Sequence, residues 1–362
     1  MTLELWMPMG SVRPEEIGDR ARRAESDGWH GLKVYDTQCL FGEAFVTATA
    51  AALATERLWL SLSTSNPVTR HPSVAAAAIA SVAAIAGPRV YYGIGRGDSA
   101  LAYVGGAPAS VAMFEQYVGA VRRYLHAEAV DFDALQPWRL TPDVTTIRLA
   151  HAPGASSLRW LDPDAPPVPI EVYATGPKVL AVAGRQADRV ALGLGADVAR
   201  IRWAIEVARE ARARAGLDPA TLSFSAVVPT GVARDLDRAR RSVVNMVAST
   251  ARFAVMSGAV VGPVTGEQRT VYETVGASYD MDRHGEMGSQ TAAVTDDFID
   301  SLAIVGPPAR CVERVLELAE LGVGAIMLAP PQGDADAQDI DDGYRMLVDE
   351  VLPAVRDATG GG

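Results

Sequence analysis

The chain has 362 residues, of which 49% are hydrophobic and 21% are charged, and its formal net charge is −11 at pH 7. This length suffices for one large hydrophobic core or two ordinary ones. The acidic balance argues against a nucleic-acid partner, whose phosphates require a basic face, and against an anionic membrane surface. It does not exclude a small anionic ligand, because a basic pocket can lie in an acidic protein.

The cysteine content and the apolar segments exclude further classes of protein. Cys39 and Cys311 are too few for a disulfide framework or a four-cysteine metal site, and we expect two reduced thiols in a cytoplasmic protein. The first residues lack a basic segment before an apolar one, so no signal peptide is predicted. The longest apolar run, residues 74–86, is too short for a membrane span and predicts a buried helix.

Strands and helices alternate along the whole chain. The predicted strands cover residues 3–9, 31–36, 58–65, 90–94, 168–174, 187–194, 222–228 and 324–329. The predicted helices cover residues 14–26, 42–54, 72–85, 111–125, 177–184, 198–215, 236–257, 308–321 and 340–355. Two irregular stretches, at about 127–167 and 258–290, interrupt this order and are interpreted as insertions.

The number of strand–helix units favours an α/β protein with the closed (β/α)8 (TIM) barrel fold. Eight such units in a chain of this length are typical of the barrel. An open doubly wound sheet is the alternative, but it carries its glycine fingerprint after the first strand, where this chain has Pro8-Met9-Gly10. We see no short internal repeat and no long linker, so the chain is predicted to be a single barrel domain over residues 1–362.

In a barrel the functional groups follow the carboxyl ends of the strands. The fourth predicted strand ends in Gly95-Arg96-Gly97-Asp98-Ser99, in which glycines allow a sharp turn and close ligand approach. Asp36 ends the second strand, and in a dry pocket one of Asp36 and Asp98 could act as a general acid. The alternative is that each carboxylate caps a helix or binds backbone amides in its own turn.

Two further strand ends carry candidate groups. Gly176 and Pro177 open a helix after the fifth strand, where backbone N–H groups can bind a phosphate; an ordinary strand-to-helix turn is the alternative. His71 follows the third strand and is a candidate catalytic residue. The histidines show no metal-ligand spacing with one another or with a cysteine, so no metal site is predicted.

Residues 65–72, Ser-Asn-Pro-Val-Thr-Arg-His-Pro, followed by residues 89–99, Arg-Val-Tyr-Tyr-Gly-Ile-Gly-Arg-Gly-Asp-Ser, resemble the luciferase-like monooxygenase superfamily. The likeness is greatest to the branch related to methylenetetrahydromethanopterin reductase, which uses the deazaflavin coenzyme F420. Residues 176–178 with 183–188, and residues 304–308, look like later segments of that family.

The resemblance implies a bacterial luciferase-like barrel that binds a flavin or deazaflavin at the carboxyl ends of its strands. The third strand would end in a bulge at Ser63-Thr64, often with a cis peptide bond, that supports the ring system. The implied contacts to the cofactor also include Thr37, Asn66, Arg96, Gly97 and Ser99, while Gly176 and Pro177 would hold its phosphate.

The reaction that the resemblance implies is hydride transfer between C5 of F420 and a small organic substrate, in particular reduction of a C=C or C=N bond. Several relatives carry a histidine after the aspartate of strand two, whereas this chain has Thr37. The proton must then come from Asp36, Asp98, His71, a water molecule or a residue of the insertions. The insertions are expected to shape the substrate pocket, and their aromatic residues either line it or pack the insertions: Trp138, Trp160, Tyr272 and Tyr279.

Two alternatives stay open at this stage. One is an FMN-dependent monooxygenase of the same fold, which would need a partner reductase and O2. The other is a barrel that binds a ligand without turnover. The family likeness also implies a homodimer, and the substrate and the direction of hydride transfer are not determined by the sequence.

Overall fold

The computed structural model describes residues 3–10, 13–256 and 258–360. The chain has the (β/α)8 barrel fold, an α/β architecture of eight parallel strands with surrounding helices. The predicted fold class is therefore confirmed.

The strands are β1 Glu4–Met9, β2 Gly31–Val34, β3 Trp59–Leu62, β4 Val90–Ile94, β5 Val130–Asp131, β6 Ala155–Ser156, β7 Ile170–Ala174, β8 Arg189–Leu192, β9 Ser223–Val232, β10 Ile304–Gly306 and β11 Ala325–Ala329. The helices are α1 Ile17–Ser26, α2 Ala44–Ala54, α3 Pro72–Ala86, α4 Ser99–Ala102, α5 Val111–Leu125, α6 Pro177–Gln186, α7 Val198–Arg214, α8 Leu236–Val255, α9 Gly266–Ser278, α10 Asp296–Leu302, α11 Pro308–Glu320, α12 Ala337–Met346 and α13 Leu352–Ala358. A π-helical segment, Leu347–Val351, joins α12 to α13.

Each of the eight predicted strands has a counterpart, namely β1, β2, β3, β4, β7, β8, β9 and β11. The two short strands β5 and β6 pair antiparallel inside the first insertion. The strand β10 was not predicted, and β9 continues four residues beyond its predicted end at Val228. The helix predicted to end at residue 257 ends at Val255; residue 257 lies outside the described residues.

The irregular structure predicted for residues 258–290 is wrong in part, because this stretch contains the 13-residue helix α9. A capping box begins that helix: the Thr265 side chain accepts a hydrogen bond from the backbone N–H of Gln268, and the Gln268 side chain accepts one from the backbone N–H of Thr265. Such a box satisfies the exposed backbone donors of a first turn. The pattern Thr-x-x-Gln was present in the sequence and could have predicted the helix.

The chain divides into two compact units, and each is described by itself. The first comprises residues 1–9, 20–33 and 171–362. In it, β11 pairs in parallel with both β1 and β9, and β9 pairs in parallel with β8 and β10. Strands β7 and β8 also pair, with Ala174 opposite Leu192 at their carboxyl ends. Strands β8 and β11 are buried along their whole lengths, which is typical of parallel sheets covered by helices.

The second unit comprises residues 10–19 and 34–170. Strands β3 and β4 pair in parallel, and an isolated bridge between Ser65 and Ile94 extends this pairing past the end of β3. Helix α3 packs against both α2 and α5 in this unit. The first insertion consists of the β5–β6 pair and short 3-10 turns, with long irregular stretches.

Within residues 3–10, 13–256 and 258–360, no helix is long and apolar enough to cross a membrane. In the same described part of the chain, no three His, Cys, Asp or Glu side chains are grouped as a metal site.

Candidate functional site

Asp36, immediately after β2, forms a two-point ion pair with Arg70. The Arg70 Nη1–Asp36 Oδ2 distance is 2.6 Å and the Nη2–Oδ1 distance is 3.1 Å. Asp36 is 3% exposed, and Arg70 Nη2 also lies 2.7 Å from Oε1 of the more exposed Glu43. Burial alone would lower the pKa of Arg70, but its hydrogen bonds with Asp36 and Glu43 and their charges raise it. The sequence singled out Asp36 but missed Arg70 as its partner.

This pairing limits the chemistry of Asp36. Both carboxylate oxygens already accept hydrogen bonds from the guanidinium, and a protonated carboxyl would have to give one of them up. The geometry therefore favours a carboxylate that positions Arg70, and it gives less support to Asp36 as a proton donor.

The turn after β4 depends on Gly97, whose φ of +86° lies in the left-handed region. A Cβ at this position would also lie 2.5 Å from Leu101 Cδ1 and 3.2 Å from Asn66 Cβ. Arg96 Nε donates to the Ala109 carbonyl at 2.5 Å, and the Ala109 N–H donates to the Arg96 carbonyl at 3.0 Å. The Arg96 side chain therefore ties its turn to residue 109.

The segment after β2 reaches the same turn. Thr37 Oγ1 lies 3.5 Å from Ser99 Oγ, and Gln38 Nε2 donates to the Ala100 carbonyl at 2.8 Å. Asp98 occupies the position before helix α4, where its carbonyl accepts the backbone N–H of Leu101 at 3.0 Å. Its side chain does not cap that helix. The structure thus brings together Thr37, Gly97 and Ser99, three predicted residues that follow strands and lie in the second unit.

The backbone after β3 carries the feature that the family resemblance implies: the peptide bond between Ser63 and Thr64 is cis. Close approach of β4 requires a glycine at position 93, because a Cβ there would lie 1.7 Å from the Leu62 carbonyl oxygen. Asn66 is fully buried, and its Oδ1 accepts the backbone N–H groups of Val68 and Thr69, each at 3.0 Å. Its Nδ2 donates to none of the residues that the structure describes.

His71 caps helix α3. Its Nδ1 accepts the backbone N–H of Ser73 at 3.2 Å and lies 2.8 Å from Ser73 Oγ. Burial lowers the pKa of His71, and an acceptor Nδ1 requires the ring nitrogen to be unprotonated. These contacts give His71 a structural function at the helix start, and its catalytic function stays a prediction.

Gly176 and Pro177 lie in the first unit at the start of α6, with Gly176 at the capping position and Pro177 in the first turn. Gly176 has an extended backbone, and a Cβ added to it would meet no atom within 4 Å. Open space therefore borders the N–H groups of a helix start, which is where anions bind.

The sequence reasoning missed a cluster of buried charges on the strands of the first unit. Lys33 of β2 is 1% exposed and its Nζ pairs with Oε2 of Glu171 on β7, which is fully buried. Ser225 Oγ donates to Glu171 Oε1 at 2.7 Å. Arg189 forms a second two-point pair, with Glu4, at 2.8 and 3.0 Å.

Each of these charges has a partner, and burial and the charge of the partner act on the pKa in opposite directions. Burial lowers the pKa of Lys33, although the neighbouring Glu171 opposes this. Burial alone would raise the pKa of Glu171, but the charges of Lys33 and Arg189 lower it. A charged residue within a strand otherwise rich in apolar residues was the signal that could have indicated this network.

The aromatic residues of the insertions differ in their surroundings. Trp138 Nε1 donates to the Pro67 carbonyl at 2.7 Å, and Trp138 packs edge-to-face on Tyr117. Tyr272 is fully buried and accepts from Arg200 at 2.6 Å, so it packs the second insertion. Trp160 is exposed. Tyr279 belongs to a hydrogen-bonded chain that is described below.

A barrel with chemically active groups at the strand ends is a class to which many enzymes belong. Comparison with known proteins narrows the class: the model of the luciferase-like monooxygenase family matches residues 4–325. This chain belongs to the luciferase-like monooxygenase family.

Its relatives include F420-dependent enzymes. The 5,10-methylenetetrahydromethanopterin reductase of Methanopyrus kandleri is 25% identical over 353 residues, which cover 94% of this chain and 95% of the relative. The solved coenzyme F420-dependent tetrahydromethanopterin reductase of that organism matches with a TM-score of 0.72 at 20% identity, covering 98% of this chain and 100% of the other.

Two further solved structures share the fold. An F420-dependent secondary alcohol dehydrogenase in complex with an F420–acetone adduct matches with a TM-score of 0.73 at 18% identity, covering 99% and 100% of the two chains. A monooxygenase from Streptomyces bottropensis matches with a TM-score of 0.64 at 20% identity, covering 97% and 99%.

Proposed function

We propose that this protein is an F420-dependent oxidoreductase. The observation that carries the proposal is the convergence of Thr37, Asn66, Gly97 and Ser99, which follow strands and lie in the second unit. The buried Asn66 amide supplies a donor beside the Gly97 turn, and the relatives named above include F420-dependent enzymes.

When bound, F420 supplies a carbon, C5, that gives or accepts a hydride. The chain would supply binding, orientation and a dry surrounding. Thr37, Ser63, Thr64, Asn66, Arg96, Gly97 and Ser99 are proposed to contact the ring system or its side chain. Gly176 and Pro177 are proposed to hold a phosphate at the start of α6, an interpretation that the open space at Gly176 supports.

The proposed substrate is a small organic molecule, and the proposed reaction is reduction of a C=C or C=N bond. The insertions at 127–167 and 258–290 would shape the substrate pocket of the single barrel domain. We also propose a cytoplasmic protein, in keeping with Cys39 and Cys311 as free thiols.

Direct titration of the purified protein with F420, and separately with FMN, tests the cofactor. Fluorescence quenching gives the two dissociation constants. We expect tight F420 binding and much weaker FMN binding. A preference for FMN would instead favour the monooxygenase alternative, which the Streptomyces relative supports, and would require a partner reductase and O2. F420 binding without hydride transfer to any candidate substrate would indicate a barrel that only binds its ligand.

Substitution at Gly176 tests the phosphate site. A valine side chain at Gly176 would enter open space, so we expect it to weaken F420 binding by about tenfold or more while leaving stability nearly unchanged. Gly266→Val is the matched control, because it also lies at a helix start in open space. If Gly176→Val and the control Gly266→Val have equal dissociation constants for F420, the phosphate site lies elsewhere.

We propose further that the protein is a homodimer joined through α2 and α3. The outer faces of these two helices carry exposed apolar residues, including Val46, Leu53, Val74 and Ile85. The 26 residues of the two helices include no charged side chain. A neutral, alanine-rich face can be covered by an identical face with no charge left unpaired.

Sedimentation velocity tests this interface. We expect a dimer for the native chain and a monomer for Leu53→Glu, whose side chain position is 73% exposed and tolerates a charge in the monomer. Leu140→Glu, at a position that is 95% exposed in the first insertion, is the control and should stay dimeric. A native chain that sediments as a monomer contradicts the proposal.

A further inference from the structure

Helix α8 runs beside the carboxyl ends of two barrel strands of the first unit. At the middle of the helix, Asn245 Nδ2 donates to the Gln332 carbonyl at 2.9 Å, in the loop directly after β11. Near the C-terminal end of the helix, the Phe253 carbonyl accepts from Thr175 Oγ1 at 3.4 Å, directly after β7. Eight residues of helix span about 12 Å, so α8 bridges these two strand ends. Polar side chains on α8 therefore lie at the end of the barrel where sites are built.

The loop of residues 283–286 is fixed against this helix. Gln290 is 1% exposed, and its Nε2 donates to the carbonyls of Arg283 and Glu286, each at 3.1 Å. The Gly285 carbonyl accepts from Asn245 Nδ2 at 2.9 Å. His284 is thus held between anchored neighbours, although it lies in an insertion.

A chain of hydrogen bonds leads from α8 to His284. Ser249 Oγ donates to the Asn245 carbonyl at 3.0 Å and lies 2.9 Å from the Tyr279 hydroxyl. The Tyr279 hydroxyl lies 2.7 Å from His284 Nδ1.

The donor and the acceptor of each of these hydrogen bonds follow from the number of protons that the side chains carry. Because the Ser249 proton points to the Asn245 carbonyl, Ser249 accepts from Tyr279, and the Tyr279 oxygen must then accept from Nδ1–H of His284. This assignment makes Nε2 the nitrogen with the lone pair in the neutral ring.

The surroundings keep the ring neutral. Burial, together with the smaller effect of the Arg252 charge, lowers the pKa of His284 to about 4. The Arg252 guanidinium lies over the Tyr279 ring, 4.8 Å from its centre. His284 is partly exposed as a residue.

We propose that His284 Nε2 accepts a hydrogen bond from an O–H or N–H group of the substrate, and that Tyr279 and Ser249 are positioning residues that fix its tautomer. The inference rests on the proposed function and narrows the substrate class to small molecules with such a donor. It also makes a histidine of the second insertion a substrate contact. Several relatives carry a histidine after the aspartate of strand two, where this chain has Thr37.

The tautomer is measured by NMR on protein with isotope-labelled histidine. The native chain should show His284 with its proton on Nδ1 at pH 7. Tyr279→Phe removes the oxygen that accepts this proton and should shift the population towards the Nε2–H form. Tyr173→Phe, which leaves this chain of hydrogen bonds intact, is the matched control. A native ring with its proton on Nε2, or a Tyr279→Phe spectrum like the native one, overturns the proposal.

Recognition of the donor is measured with a pair of probes, cyclohexanol and methoxycyclohexane, which differ by the hydroxyl proton. Cyclohexanol should shift the His284 signals, and methoxycyclohexane should not. His284→Asn keeps an N–H donor near the Nδ1 position but lacks Nε2, and should weaken cyclohexanol binding about fivefold, the effect of one neutral hydrogen bond. His126→Gln, at an exposed position on another segment, should leave binding unchanged.

Both measurements are made with and without F420, so that two failures can be told apart. Equal shifts with both probes, or none with cyclohexanol, contradict the inference about His284 while leaving F420 binding to be judged by titration. Failure of F420 to bind contradicts the proposed function, and the tautomer and probe results still decide the inference.

Discussion

Two ion pairs in this molecule have the same chemistry and different surroundings. The Lys33–Glu171 pair lies on strands of the first unit, and both side chains are essentially inaccessible to solvent. The Asp36–Arg70 pair follows the ends of strands and lies in the second unit, with Asp36 3% and Arg70 17% exposed at their side chains. Arg70 also has a second carboxylate, Glu43, whereas Glu171 is the acid that Lys33 contacts in the described part of the chain.

The difference in burial indicates which pair has a structural function and which pair is available for chemistry. A fully buried pair is stabilising only while both partners are present, because a lone charge cannot be solvated there. A pair at a strand end can lose one partner and regain contact with water or a ligand. Substitutions at the two pairs should therefore lower the free energy of unfolding by different amounts.

The largest effect is expected at the buried pair. Glu171→Gln leaves the Lys33 ammonium without a counter-charge and should lower the free energy of unfolding by about 3–5 kcal/mol. Urea unfolding followed by circular dichroism measures it. The double variant Lys33→Met/Glu171→Leu removes both charges and should lose much less than Glu171→Gln alone. A double variant as unstable as the single one would show that shape, and not charge, dominates at this position.

The acid dependence of stability should differ between the native chain and Glu171→Gln. The pKa of Glu171 is lowered in the folded state, so the carboxylate contributes stability at pH values above its ordinary pKa. That contribution is lost as the pH falls from about 4.5 through the folded-state pKa. Unfolding free energies between pH 7 and pH 3 should fall more steeply in the native chain than in the variant. Parallel curves would contradict the assignment.

The barrel was predictable because its signals are local. Apolar runs such as residues 90–94, followed by glycine turns, indicate strands and strand ends without knowledge of their neighbours. The candidates Thr37, Gly97 and Ser99 were found in the same way, since they follow strands directly.

The partners of the charged residues were not predictable, since they come from distant parts of the chain. Arg70 meets Asp36 across 34 positions and Lys33 meets Glu171 across 138. His71 shows the same limit: the sequence places it after a strand but does not reveal that it caps the following helix. The hydrogen-bonded chain ending at His284 likewise depends on three separate segments.

A smaller effect is expected at the strand-end pair. Asp36→Asn keeps one acceptor for Arg70, which also retains Glu43, so the free energy of unfolding should fall by about 1–2 kcal/mol. Chemical denaturation measures this loss beside that of Glu171→Gln. A loss as large as that of Glu171→Gln would remove the distinction between the two pairs.

The same variant tests the catalytic hypothesis for Asp36. If Asp36 is the proton partner, Asp36→Asn should slow hydride transfer in a single turnover, with F420 affinity changed by a few-fold at most. A proton partner contributes about 100-fold or more to the rate. An unchanged single-turnover rate would leave Asp36 as a positioning residue for Arg70 and would remove it as a proton partner.

The smallest effect is expected at His71, directly after Arg70. His71→Ala removes the side chain that caps α3 and should cost about 1 kcal/mol, whereas His71→Asn keeps a capping acceptor and should cost much less. Thermal unfolding separates the two variants. Because Asn caps a helix but does not titrate, a large drop in turnover for His71→Asn, with stability retained, would assign His71 to catalysis. Turnover that is lost only in His71→Ala, in step with stability, would leave His71 as a helix cap with a structural role only.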